Sequence, residues 1–488
     1  MPLTSAGSNS MSLVRPVFAK ILQAIRTHAI PISVTIFALL ITGIYFLHYV
    51  GTKRFGNLYW TLQPSAIFGL SSAEAAQGLT PLYRNRPGEW GFDGQCYYRI
   101  SNDPFILDDV KAHLDAAGYR YQRIFPSLLA RLLSLLAFQR FVTPGFYYGT
   151  IYLLFGMGVL ALSIYLRRAG ESALWAFPWA LFFGTQYSLW TGTVDAAGDS
   201  LLILSVLAIV LKRDWLYAAA MSAACLTRET FGLVAAGFWV HAVFQYVSRS
   251  RKPAPALIRL VPLAALVSWN LYVRSRLIPL PLSQILNAVN LPFRAMFAAF
   301  GARLPGTEIS AGLLALYLYA ALAVLGVAVT YQLIRIQSDL VSLFPYTVLL
   351  ACVGAGVMSD HGNYLRISSV LLAIMAICLP YLKGGTRTAS VAVLTGSMLV
   401  GFLLAYMYER DTVPVPPTAY NSSIPGAPLK PARASYNCRL KVEGLRVRPD
   451  VTIPFGRFFT PPYLVADVEG RNLSESELRR NLDPSGKA

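Results

Sequence analysis

Trp90-Gly91-Phe92-Asp93-Gly94-Gln95-Cys96-Tyr97-Tyr98-Arg99 is polar, aromatic and charged, in a chain that is otherwise largely apolar. Tyr119-Arg120-Tyr121-Gln122-Arg123-Ile124-Phe125-Pro126 follows twenty residues later with the same character. A membrane protein keeps such a loop between its first two spans for one of two reasons: the loop packs on the bundle, or it does chemistry at the membrane surface. Asp93 is the candidate residue, and it has two readings. As a helix N-cap it would accept a bond from a first-turn N–H, with Phe92 and Tyr97 spaced as a hydrophobic staple. As a carboxylate with one free oxygen it is a candidate general base.

The surrounding chain sets the fold class. Of 488 residues, 55% are hydrophobic and only 14% charged, which indicates an all-α polytopic membrane protein rather than a large soluble core. Arg15, Lys20 and Arg26 precede the first apolar run, and no small-residue cleavage site follows it. The run therefore reads as an uncleaved span. The formal charge of +18 lies mostly in short loops and tails, where it sets orientation and is weak evidence for nucleic acid. The five cysteines form no CxxC pair and no Cys/His cluster, so no zinc or redox motif is visible.

The apolar periodicity predicts about eleven transmembrane helices. They fall near 31–50, 146–166, 173–190, 194–211, 215–226, 231–247, 257–272, 309–334, 340–358, 365–382 and 389–408. Residues 1–29 form a basic leader, 30–408 the membrane domain and 409–488 a polar tail that begins Pro-rich. The first outer loop, within 51–145, is expected to carry short juxtamembrane helices near 94–102 and 124–138, the latter interfacial or re-entrant. A second outer loop covers 273–308. Basic stops after the second, fourth and sixth spans place the N-terminus inside. The Asp93 loop, the Arg228-Glu229 corner, the second loop and the 360–366 segment then share the outer face. Parity puts the tail outside, as a small soluble domain with short strands near 438–443, 451–453 and 463–465; a ten-span count, with one weak span lying in the interface, would put it inside. With the tail outside, a Cys96–Cys438 disulfide is conceivable.

Four groups collect on that face: Asp93 with Asp103, Asp108 and Asp109; Arg120 and Arg123, one turn apart; Arg228-Glu229; and Arg366 with His361 and Asn363. Asp195 and Asp199 head the fourth span. Each has a plain alternative. Arginines snorkel to headgroups, Arg228 and Glu229 neutralise one another or neighbours, and Asp195 is another cap. Against this, a charge near the bilayer centre costs ~2.5–3.5 kcal/mol on insertion scales, which favours function.

Asp-Gly-Gln-Cys-Tyr-Tyr-Arg-Ile, then Asp-Pro, then Tyr-Arg-Tyr-Gln-Arg-Ile-Phe-Pro-Ser-Leu-Leu-Ala-Arg resembles the first outer loop of polytopic GT-C-type glycosyltransferases. These include the PIG-V mannosyltransferase-like bacterial membrane proteins. The resemblance covers about 89–131 and, weakly, 224–232 around Thr227-Arg228-Glu229-Thr230. Cys96 departs from the aromatic residue expected there, and Phe125-Pro126 shortens the usual aromatic-Pro step.

The resemblance implies a GT-C-like bundle in the bacterial inner membrane, with its active site on the periplasmic face. It implies a polyprenyl-phosphate sugar donor, a lipid or glycan acceptor and an essential acidic residue in the loop, here Asp93. Arginine suits the donor phosphate because its planar fork binds two oxygens and stays charged. Arg366 and Arg228 are the first candidates, Arg120 and Arg123 next, with Glu229 beside them. Trp90, Gln95, Tyr97, Tyr98 and Tyr121 would line the sugar. No cofactor is expected, and a divalent metal is not indicated. The competing class is a transporter or flippase of a lipid-linked or anionic solute, which charged spans and a short broken helix also suit. A non-catalytic assembly protein is a third reading.

Overall fold

The computed structural model describes residues 28–54, 56–80, 91–249, 254–278, 291–303, 311–335, 339–353 and 361–411. Every regular element among them is a helix. Those that position the site are α1 (Ala29–Arg54), α2 (Asp93–Asn102), α3 (Phe125–Leu136), α4 (Pro144–Arg168), α5 (Phe183–Trp190), α6 (Asp195–Val210) and α7 (Asp214–Cys225). After them come α8 (Gly232–Arg249), α9 (Ala254–Arg276), α10 (Ala311–Arg335), α11 (Phe344–Ala351), α12 (His361–Cys378) and α13 (Gly384–Asp411). Seven of the described helices are long and apolar enough to cross a membrane, eight if the bent pair α5–α6 is one crossing. The described residues thus form an all-α polytopic membrane protein.

Each expected span has helix at its place, but several are not continuous crossings. The run at 173–190 is split into a 3₁₀ turn (Ala173–Ala176), a single α-turn (Phe177–Ala180) and α5. The run at 215–226 becomes α7, only 12 residues long, and the run at 340–358 is described only to 353, as a 3₁₀ turn and α11. The polar tail, its expected strands and Cys438 lie outside the described residues.

Sequence logic sets the helix ends. Thr143 caps α4 through its side chain, with Pro144 at the first helical position, and Arg167-Arg168 close the far end. α12 is the core of the bundle, with 83% of its apolar window buried, and it packs on α5, α6 and α10. α9 lies at the periphery, with 22% buried, and packs on α7 and α8. α6 packs between α4 and α7.

The break between α5 and α6 sits against the loop. The chain turns by 119° over Thr191–Val194, with Gly192 at φ +65°, a left-handed conformation that glycine adopts without strain. Carbonyls freed by the break need partners, since lipid supplies none. Hydroxyls provide them: Tyr148 donates to the Trp190 carbonyl at 2.9 Å, Tyr147 to Gly192 at 2.7 Å and Ser188 to Thr193 at 3.1 Å. Helix α2 rests on this break at Gly94, where a Cβ would lie 1.8 Å from the Thr191 carbonyl oxygen. Only glycine fits, so the expected motif residue has a packing reason independent of chemistry.

Candidate functional site

Asp93 is the first residue of α2, and Phe92 occupies the N-cap position without any side-chain cap bond. The capping reading therefore fails: the carboxylate is used elsewhere. Its Oδ1 lies 2.8 Å from Arg120 Nη2 and its Oδ2 accepts from Arg366 Nη2 at 3.2 Å. Phe92 does not staple to Tyr97. It packs edge-on against Tyr187, and the Arg366 guanidinium lies over its ring.

Each arginine is gripped from behind by another carboxylate. Asp115 takes Arg120 in a two-point pair, Nε at 2.9 Å and Nη2 at 2.6 Å. Asp195, the first residue of α6, lies 2.9 Å from Arg366 Nε. Arg228 then continues the line, 3.6 Å from Asp195 and 3.5 Å from Asp199. Asp199 is closed off by Ser369 at 2.5 Å and Trp179 at 3.4 Å. The result is an alternating chain, Asp115, Arg120, Asp93, Arg366, Asp195, Arg228, Asp199, running from the loop into the bundle. Charges taken from water at this depth persist only when paired in this way.

Arg120 and Arg123 both lie over the Tyr119 ring, 5.4 and 4.5 Å from its centroid, but they take different carboxylates. The short helix Ala117–Arg120 ends between them, and Arg123 turns to Glu229. Its Nε and Nη2 meet the two carboxylate oxygens at 2.9 and 2.8 Å, and its Nη1 donates to the Tyr97 hydroxyl at 3.3 Å. Arg228 and Glu229 thus neutralise neighbours, not one another.

Other expected residues fall away from this cluster. Gln95 accepts from the Ser65 backbone N–H at 3.0 Å, and Tyr98 packs edge-on against Tyr59 and Tyr147. Tyr121 donates to the Asp103 carbonyl at 3.0 Å. Asp103 accepts from the Leu107 and Asp108 N–H groups, and Asp109 from Ser72, so these carboxylates shape the loop. Trp90 lies outside the described residues, as does the side chain of His361. Asn363 accepts from Arg366 at 3.2 Å. Among the described residues no group of three or more His, Cys, Asp or Glu forms a metal site.

Electrostatics define what the site does at rest. Burial alone would raise the Asp93 pKa. Arg120 and Arg366 outweigh it and hold the carboxyl well below the usual carboxylate range. Burial pushes the Cys96 thiol up, so it is no nucleophile near neutral pH. Two donors stand apart: Arg366 Nε and Nη1 are buried without a hydrogen-bond partner, Nε facing Asp195 as an ion pair only. A buried guanidinium N–H without an acceptor is unfavourable by ~1–3 kcal/mol or more, which an arriving anion would relieve.

Asp115 is the residue sequence reading missed. Its only local signal is its place five residues before Arg120. Comparison with protein-family models finds no match, and comparison with curated proteins finds none either. Fold and site define a class: a polytopic α-helical membrane protein with an alternating Asp/Arg cluster where its first loop meets a broken helix.

Proposed function

We propose that this protein is a membrane glycosyltransferase of the GT-C type. It would move a sugar from a polyprenyl-phosphate donor to a hydroxyl of a lipid or glycan acceptor, with inversion. The observation that carries the reading is the bracketing of Asp93 by Arg120 and Arg366, the latter with an unpartnered buried N–H. A base flanked by anion receptors is what transfer from a lipid phosphate requires.

The chemistry follows. The donor phosphate competes with Asp93 for Arg366 and Arg120, which frees one carboxylate oxygen and removes the charges that depress its pKa. That oxygen takes the acceptor hydroxyl proton. The acceptor oxygen bonds to the anomeric carbon as the carbon–phosphate oxygen bond breaks, and its electron pair leaves with the polyprenyl phosphate. Arginine holds that developing charge bidentately. On this reading the bundle has about eleven crossings, counting α7 and the split segments. The Asp93 end faces the periplasm by the positive-inside pattern.

The test is mass analysis of membrane glycolipids and envelope glycans from cells with the gene, without it, and with Asp93→Asn. Loss of one glycan species in both altered strains is expected. An unchanged glycan profile in the deletion would sink the reading. One observation favours the transporter alternative, the 119° break of α5–α6 beside the charges. Solute uptake by vesicles that survives Asp93→Asn would support it.

A further inference from the structure

Arg259 lies near the start of α9, at the end of the bundle opposite Asp93. Two helices fix that distance. α7 starts at Asp214 and ends three residues before Arg228 of the cluster, and twelve helical residues span about 18 Å. α9 meets the first loop at its far end, where Trp269 donates to the Tyr121 carbonyl at 2.7 Å. Arg259 is ten residues earlier, about 15 Å along the axis.

Its environment lacks an acceptor. The residue is 9% exposed, yet Nε and Nη1 are buried and without hydrogen-bond partners. The nearest carboxylate, Asp214, is 3.9 Å from Nε, too long for a hydrogen bond. Tyr217, one turn beyond Asp214 and within electrostatic reach of Arg259, buries a hydroxyl that also has no partner. Arg259 thus has two buried N–H groups with only a distant carboxylate, and fully buried Tyr217, on the same helix as that carboxylate, holds a hydroxyl without a partner.

The flanking surface says where an anion for them would come from. Leu257, Leu260 and Val261 on α9 are exposed and apolar, and Trp215 beside Asp214 is 73% exposed. An exposed Trp at a helix end, with leucines on the neighbouring helix, marks the headgroup level of a bilayer. We propose that Arg259 and Tyr217 bind the phosphate of an anionic phospholipid in the leaflet opposite the Asp93 cluster. The guanidinium turns toward its exposed margin, exchanges its distant contact with Asp214 for phosphate oxygens, and takes the Tyr217 hydroxyl as a further donor. Asp214 is then a competitor for Arg259, not its counter-ion. The site is separate from the sugar-transfer reading and stands or falls without it.

The experiment uses the full chain, stripped of lipid in neutral detergent, with the thermal unfolding midpoint followed against added ligand. Three probes separate the sources: phosphatidylglycerol, diacylglycerol of the same chains, and inorganic phosphate. Saturable stabilisation by phosphatidylglycerol alone is expected. Arg259→Gln should abolish it. Tyr217→Phe should raise the half-saturating lipid concentration by roughly tenfold, the loss of a hydrogen bond to a charged group. Asp214→Asn should lower it several-fold, a direction that a purely structural Arg259–Asp214 pair would not give. Equal stabilisation by diacylglycerol or by inorganic phosphate would overturn the proposal, as would an undiminished response in Arg259→Gln. Should that variant not fold, unchanged lipid dependence in both Tyr217→Phe and Asp214→Asn overturns it.

Discussion

Asp93→Asn separates chemistry from structure, because the geometry makes the two losses very different in size. The substitution removes one carboxylate from between two arginines, but neither is orphaned. Arg120 keeps both contacts with Asp115, and Arg366 keeps Asp195 at 2.9 Å and Asn363 at 3.2 Å. Breaking a buried pair so that a lone charge remains is unfavourable by ~3–5 kcal/mol. Here the Asp93 side chain is 27% exposed, its partners stay paired, and asparagine keeps one acceptor oxygen, so about 1–2 kcal/mol is expected. A protein with ~5–15 kcal/mol of stability remains folded after that loss. If Asp93 is the general base proposed above, its loss should instead slow transfer by ~10²–10⁴-fold. The assay is glycan product per folded enzyme by mass spectrometry, beside the unfolding midpoint in detergent. Near-normal product formation would refute the base assignment. A stability loss above ~3 kcal/mol would refute the account of shared partners.

Three further outcomes follow from the same geometry. Gly94→Ala should fail to dock α2 on the α5–α6 break, seen as protease sensitivity of the first loop, because its Cβ meets the Thr191 carbonyl at 1.8 Å. Arg123→Met and Glu229→Met should each destabilise by ~2 kcal/mol, and the double variant by less than their sum, in an unfolding double-mutant cycle. For pH, the Asp93 pKa is lowered on folding, so its stabilisation is complete above the unfolded value of ~3.9 and disappears as pH falls through the lower folded value. Wild type should therefore lose stability more steeply than Asp93→Asn below about pH 4, with a constant gap between them above about pH 5.

Much of the membrane architecture was legible because apolar length is a local property. The runs that became α1, α4, α8, α9, α10, α12 and α13 needed no tertiary information. The break after Trp190 was less visible: Thr191-Gly192-Thr193 is short, and its carbonyls are met by Tyr147 and Tyr148 from another helix. In the site, Asp93 and Arg366 were each visible as charges out of place. Their contact joins residues 273 apart in sequence, which no local pattern encodes. Asp115 was invisible for a different reason, being an ordinary loop aspartate until the fold turns Arg120 back onto it. Arg120 and Arg123 share the Tyr119 ring, as their spacing allows, but which carboxylate each takes, Asp115 with Asp93 or Glu229, no spacing could tell.

The alternating cluster has a consequence for how fast a ligand arrives. Arg120, Arg123, Arg228 and Arg366 stand against Asp93, Asp115, Asp195, Asp199 and Glu229, nearly charge for charge. Beyond a Debye length of ~8–10 Å such an assembly projects almost no field. An anionic lipid head is not drawn in from afar, as it would be by an open basic patch. On the sugar-transfer proposal it would reach the arginines by lateral diffusion in the bilayer and be recognised only at contact, by exchanging places with a carboxylate. Capture should then be nearly independent of salt, and free anions in solution should be poor competitors for a site that has no far-field pull.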